Sequence, residues 1–141
     1  MDMYNVIKTE PDTRGEIVLE SESRLNVGLM FDKKYRGEIT YEIEIRNGNR
    51  TETVTPFEFF RRWMTQIRNI TGLSQAVFAR EYGIPRRSIE NWESRNEKLG
   101  GATKAPAYVL ALLERAVRED YGIGTEEYTL ISDNSGRQKG E

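Results

Sequence analysis

The sequence contains no cysteine and no histidine. Without thiols there is no disulfide framework and no zinc ribbon, and without imidazole the commonest metal ligand and general base is missing. No metal site, no cofactor and no catalytic residue set are therefore expected, and an enzyme is the least favoured reading. Long apolar runs are lacking too: nothing approaches the roughly 18–20 consecutive apolar residues that a membrane helix needs, so no membrane partner is expected. Met1 leads into Asp2 and Tyr4 without a basic segment or an apolar stretch. No secretory signal is read there, and a cytoplasmic location is expected. The tripeptides Asn49-Arg50-Thr51 and Asn69-Ile70-Thr71 carry the glycosylation pattern, which has no meaning without secretion.

Charge, by contrast, is plentiful, at 31% of the 141 residues, with a formal net charge of −2. It is unevenly divided. Residues 1–54 carry 8 basic and 11 acidic side chains, residues 55–120 carry 11 and 8, and residues 121–141 carry 2 and 4. A middle segment of +3 lies between acidic flanks. Binding to phosphate requires local positive charge rather than a basic whole, so a nucleic-acid partner is permitted for the middle segment.

The first third reads as strands. Residues 4–8, 16–20, 25–31 and 38–46 are short, β-branched or alternating, and are separated by Pro, Gly, Asp and Ser. Ile39, Tyr41, Ile43 and Ile45 alternate with Glu38, Thr40, Glu42 and Glu44, which gives one apolar and one acidic face. Asn47-Gly48-Asn49 supplies a tight turn into 50–54. An antiparallel sheet of four or five strands must cover its apolar face with a helix, a second domain or another subunit. The paired carboxylates Glu42 and Glu44 are read as a solvated strand face rather than an acid–base couple.

Helical periodicity then begins sharply. Thr55-Pro56-Phe57-Glu58 places Thr at the N-cap, Pro at the first helical position and Glu at the third, a capping box. Phe57, Phe60, Trp63, Met64, Ile67 and Ile70 recur at spacings of three and four and form a core stripe. Gly72 ends this helix, Ser74 caps a second, and Gly83 closes it. A third helix is predicted from about Arg86 to Ser94, a polar loop over Arg95–Ala105, and a last helix from Pro106 to about Asp120. The polar tail from Asp133 to Glu141 is expected to be disordered.

The run Leu73-Ser74-Gln75-Ala76-Val77-Phe78-Ala79-Arg80-Glu81-Tyr82-Gly83-Ile84-Pro85-Arg86-Arg87-Ser88-Ile89-Glu90-Asn91-Trp92-Glu93 resembles the helix-turn-helix of the Cro/phage-repressor (XRE-type) family. Small Ala79 lets two helices cross closely, Gly83 permits a left-handed turn, and Ile84, Ile89 and Trp92 fall where that family buries apolar residues. The resemblance covers residues 55–120 only, and the loop Arg95–Ala105 is longer than the family's usual connection. It implies a recognition helix lying in the major groove of double-stranded DNA. Independently, burying Ile89 and Trp92 turns Arg87 and Asn91 to the opposite face, with Arg86 and Glu90 beside them. Arginine can fork onto guanine and asparagine onto adenine, so Arg86, Arg87 and Asn91 are the candidate base readers. Glu90 is a candidate acceptor from cytosine, and Ser88 is counted on the same surface. By the resemblance, Gln75 touches the DNA backbone, joined by Ser74 at the start of its helix, while Glu93 makes an intramolecular ion pair.

The expected fold class is thus α+β: a small antiparallel β module (1–54) for dimerisation or partner binding, a four- to five-helix helix-turn-helix DNA-binding domain (55–120), and a partly disordered tail (121–141). The expected function is a sequence-specific transcriptional regulator, a homodimeric (auto)repressor reading a palindromic operator. The alternative is an inhibitor or antitoxin-like interaction protein that binds another protein through residues 1–54 and carries an autoregulatory helix-turn-helix.

Overall fold

The computed structural model describes residues 1–9, 15–32, 41–96, 105–122 and 128–132. The chain is mixed α+β. Strands β1 (Met3–Lys8), β2 (Glu16–Ser21), β3 (Tyr41–Asn47) and β4 (Arg50–Val54) form one antiparallel sheet in the order β2-β1-β3-β4. Helix α1 (Arg24–Asp32) lies between β2 and β3 in the chain, and α2 (Pro56–Thr71), α3 (Gln75–Tyr82), α4 (Arg86–Trp92) and α5 (Ala107–Asp120) follow the sheet. No helix among the described residues is long and apolar enough to cross a membrane.

Alternation places Tyr4, Val6, Ile43 and Ile45 on one sheet face, all fully buried. They meet α2 and α1 of the same chain. Phe59 of α2 stands edge-on to Tyr4 at a ring separation of 5.5 Å. Phe60, Trp63, Met64 and Ile67 continue a single core toward Phe78, Ile89, Leu110 and Val117 of the later helices. Phe59 lies outside the stripe read from the sequence because α2 is covered on more than one side, so its apolar arc is wider than a single-face helix requires. The apolar face of the sheet is accordingly closed within the chain. Expected residues 38–40 and the tail 133–141 lie outside the described residues.

One element differs in kind. Residues 25–31, read as a strand, belong to helix α1. The run Leu-Asn-Val-Gly-Leu-Met-Phe is short and apolar, which periodicity alone does not assign. One local and one tertiary fact go with the helix: Ser23 Oγ accepts from the Asn26 amide at 3.1 Å as an N-cap, and Val27, Gly28 and Phe31 are buried against elements distant in the chain. Gly28 is required by packing. A β-carbon there would stand 2.6 Å from the Ala107 β-carbon and 3.3 Å from the Trp63 ring, so α1 and α5 cross at a bare backbone. Asp32, at the end of α1, accepts from the Ala107 amide at 3.0 Å and fixes the same crossing from the other side.

Residues 128–132 cross the sheet–helix seam without joining a strand, held by side chains. Asp2 accepts from the Leu130 amide at 2.8 Å and from Thr129 Oγ1 at 2.7 Å, as well as from Asn47 and Tyr4. Glu52 accepts from the Ser132 amide at 2.9 Å, and Arg62 donates to the Leu130 carbonyl at 3.0 Å. Leu130 and Ile131 are buried. Within the tail region 121–141, these residues are therefore an ordered part of the core.

Beneath this strap, Glu114 of α5 accepts from the Trp63 indole at 3.0 Å and from Arg24 at 2.8 Å. The Tyr128 ring lies under the Arg24 guanidinium, 4.5 Å from it. Burial would raise the Glu114 carboxyl, but Arg24 and the indole N–H outweigh it and hold it below the ordinary range. Burial likewise opposes, and the hydrogen bonds of Arg61 and Arg62 overcome, a shift that brings Glu58 down from 4.5 to about 2. Glu52 is lowered by its hydrogen bond from Arg62.

Gly28→Ala is expected to destabilise the protein by about 1–3 kcal/mol through overpacking at the α1–α5 crossing, despite alanine's helix preference of ~1 kcal/mol. A urea midpoint at or above that of the native chain would remove the crossing argument. Three carboxyls with lowered folded-state values contribute stability that is present at neutral pH and disappears as they are protonated. The urea midpoint should be flat from about pH 7 to pH 5 and fall between about pH 5 and pH 2. A midpoint unchanged at pH 3 would contradict this.

Candidate nucleic-acid interface

From Ser74 to Glu93 the chain forms α3, a three-residue turn and α4, each boundary set by a local device. Thr55 Oγ1 first caps α2 by accepting from the Glu58 amide at 3.1 Å, while the Glu58 carboxylate receives Arg61 and Arg62 instead of completing the box. Gly72 ends α2 at φ 72°. Ser74 Oγ accepts from the Val77 amide at 3.2 Å and starts α3. Gly83 stops α3 at φ 67°, a left-handed conformation that disfavours side chains with a β-carbon. The Ile84 amide then donates to the Ala79 carbonyl at 2.9 Å, which turns the chain. Pro85 stands at the start of α4, its carbonyl accepting from the Ser88 amide at 2.9 Å.

This unit is anchored from inside by Phe78, Ala79 and Ile89, all buried. It is anchored from the side by one ion pair. Arg68 of α2 donates from Nε and Nη2 to the two oxygens of Glu93, both at 2.8 Å, and from Nη1 to the Leu73 carbonyl at 2.8 Å. A planar guanidinium thereby joins the end of α2, the entry to α3 and the end of α4. The hydrogen bonds that Arg68 donates to Glu93 raise the arginine's pKa against the effect of burial. Tyr82 donates to Asp120 at 3.0 Å and links α3 to the end of α5.

On this frame Arg86 and Arg87 open α4 and are both exposed. Arg86 Nε donates to Glu90 Oε2 at 2.9 Å across one helical turn, with the arginine side chain 64% exposed. Glu90 is thus engaged with Arg86. Arg87 makes no hydrogen bond or ion pair among the described residues. Ser88, Glu90 and Asn91 are half-buried on the flanks of the helix. Trp92 differs from the sequence expectation: it is part-buried against the core rather than enclosed like Ile89, as befits the last residue of α4, which stops there instead of running to Ser94 and leaves no further turn to cover the ring. The Ser74 hydroxyl is engaged in capping, and the Gln75 amide turns inward to Glu93 Oε1 at 3.2 Å. Gln75 therefore belongs to the Arg68–Glu93 cluster in the free protein.

Sequence reasoning named Glu93 as half of an ion pair and missed its partner. Arg68 sits among the polar positions of α2, and only the fold brings it 25 residues forward to Glu93. Arg80 and Arg95, both exposed near the same unit, were also passed over. A separate cleft of about 220 Å³ is lined in part by Glu58, Arg61, Arg62 and Gln66 of α2. Its two inner arginines are matched by Glu58 and Glu52. Among the described residues no acidic cluster is placed to hold a metal ion.

No family model, curated protein or solved structure matches the chain.

Glu93→Ala is expected to lower stability by about 2–3 kcal/mol, since it removes a bidentate charge-assisted pair and leaves a largely buried guanidinium unmatched. Arg68→Ala combined with Glu93→Ala should cost less than the sum of the two single changes. Additivity in that double-mutant cycle, read by urea unfolding, would mean the pair does not organise the α2–α3–α4 unit.

Proposed function

We propose that this chain is a sequence-specific, double-stranded DNA-binding transcriptional regulator of the Cro/phage-repressor type, acting in the cytoplasm as a dimeric (auto)repressor on a palindromic operator. In this reading α3 and α4 are a helix-turn-helix, and α4 enters the major groove. The observation that carries it is the pair of exposed arginines at the start of α4, backed by buried Ile89 and a frame fixed by Arg68–Glu93. Long cationic side chains on a rigid, narrow helix suit bidentate contact with guanine edges, each such contact discriminating by about 1–3 kcal/mol. Arg87 reads a base directly. Arg86 exchanges its Glu90 contact for DNA, leaving Glu90 to accept from cytosine, and Asn91 reads further along the groove. Ser88, Ser74 and Gln75 approach the backbone, with Arg80 and Arg95 adding positive charge at the edges. The acidic total of the chain does not oppose this, because the positive excess lies in residues 55–120.

A second reading is supported by β2. It forms one edge of the sheet, and its Ile17 and Val18 are exposed. An open edge with apolar side chains is a surface to which another protein can add a strand. An inhibitor or antitoxin-like protein would dock its target there and use the helices for autoregulation.

Arg87→Ala should leave the thermal melt unchanged and weaken binding to a selected operator by about 1–3 kcal/mol. Wild-type affinity in that variant across a salt series would show that α4 is not oriented as proposed. Native binding should also weaken steeply with salt, at a log–log slope of about −0.9 per neutralised phosphate. A flat dependence would favour the second reading.

A further inference from the structure

The cleft of about 220 Å³ beside α2 has residues 130–132 on one wall and Arg95 at its rim. Three guanidiniums line it, those of Arg61, Arg62 and Arg95. Among the described residues two carboxylates face them: Glu58 accepts from both Arg61 and Arg62, and Glu52 takes the remaining fork of Arg62. Three fixed positive charges against two negative ones leave the cleft with an excess of one. That excess sits at the rim, because Arg95 is exposed and makes no hydrogen bond or ion pair among the described residues.

The donors are not used up either. Arg61 is only 8% exposed, and its Nε and Nη2 are committed to the two oxygens of Glu58. Its third nitrogen, Nη1, has no partner among the described residues and is not enclosed, so this buried side chain opens where it lines the cleft. One turn along α2, Thr65 also lines the cleft, and its hydroxyl is enclosed without a partner. Threonine has two χ1 wells open to it in a helix, so that hydroxyl can turn toward the cleft. Gln66 spends one N–H of Nε2 on the Thr129 carbonyl at 3.4 Å and keeps the other. A cleft with spare donors, spare positive charge and no spare acceptor is built for an anion.

We infer that this cleft binds the phosphoryl group of a small molecule. Arg61 Nη1, held in place by Glu58, is the preorganised donor, Thr65 and Gln66 add neutral donors from the same helix, and Arg95 closes from the rim with the matching charge. Donors on two walls exceed what the two oxygens of a carboxylate accept and suit the three terminal oxygens of a phosphoryl group. A phosphodiester of a DNA backbone presents only two such oxygens and is the poorer fit. The volume lies below the roughly 300–1,000 Å³ of sites for drug-sized ligands, which limits the ligand to inorganic phosphate or a short phosphate monoester. The site does not rest on the DNA-binding reading, and since it is measured without DNA, either can fail alone.

The full chain should be titrated with inorganic phosphate and, separately, with glycerol phosphate, at an ionic strength held constant with chloride. Both should bind saturably with a Kd of roughly 1 mM or tighter by calorimetry and raise the melting temperature, whereas acetate should do neither. Tighter binding of the ester identifies a monoester as the ligand, and equal binding identifies free phosphate. Arg95→Ala, at an exposed position, should weaken binding about tenfold while leaving the melt of the unliganded chain unchanged. Thr65→Val removes only a buried hydroxyl without a partner, so the unliganded melt should stay level or rise while phosphate binding weakens. The inference is overturned if neither phosphate compound approaches saturation by roughly 50 mM, or if acetate binds as well as they do. It is equally overturned if Arg95→Ala and Thr65→Val both bind phosphate as the native chain does. Should Thr65→Val fail to fold, Arg95→Ala and the acetate comparison decide.

Discussion

Helix α2 is the constraint on which the remaining structure depends. It is the only described helix that supports the sheet, the α3–α4 unit and α5 at once. Phe59 faces the sheet, Trp63 reaches Glu114 of α5, and Arg68 holds Glu93 at the end of α4. Its sequence makes these roles compatible. Aromatic residues in the first half bury a wide arc against layers of different kinds, and the last turn ends in a long cation able to leave the core and bridge two loops. A change that tilted α2 would move the sheet and the exposed arginines of α4 together.

Two polar clusters give that packing a unique arrangement. One is Glu114 with Trp63 and Arg24, the other Asp2 with Tyr4, Asn47, Thr129 and Leu130. Both are largely enclosed, and in each a carboxylate collects donors from elements far apart in sequence. Apolar contacts alone would tolerate a sliding helix or a shifted strap. A buried carboxylate does not, because any shift leaves it or a donor unmatched.

Much of this was legible in the sequence wherever a local rule sufficed. The Thr55-Pro56 start, the Ser74 cap and the Gly72 and Gly83 stops are chemistry within four residues, and the helices begin and end there. Strands β1, β3 and β4 were readable from alternation and the Asn47-Gly48 turn. The failures share one cause, dependence on distant partners. Residues 25–31 are a helix because Gly28 fits beneath Ala107 and Asp32 caps α5, facts held 75 or more residues away. Phe59 and the strap at 128–132 were missed for the same reason: Phe59 packs on Tyr4, and the strap is held by Asp2 and Glu52. At the candidate interface, the exposure of Arg86 and Arg87 follows from helical periodicity, while their choice as base readers came also from the family resemblance; the inward turn of Gln75 requires Arg68 and Glu93 to meet first.

The strap also bears on the order in which the molecule can be completed. Asp2 and Leu130 are separated by 128 positions, and a growing chain presents the first long before the second. Until residues 128–132 emerge, the Asp2 carboxylate, the Glu52 carboxylate and part of Arg62 have no full set of partners, and the seam between sheet and α2 stands open. The nascent protein therefore passes through a stage in which α3 and α4 are already synthesised but α2, on which they rest, is not yet closed in. Closure of the seam therefore waits on a contact spanning 128 positions, so the sheet and α2 become a finished core only when both ends of that interval are present together.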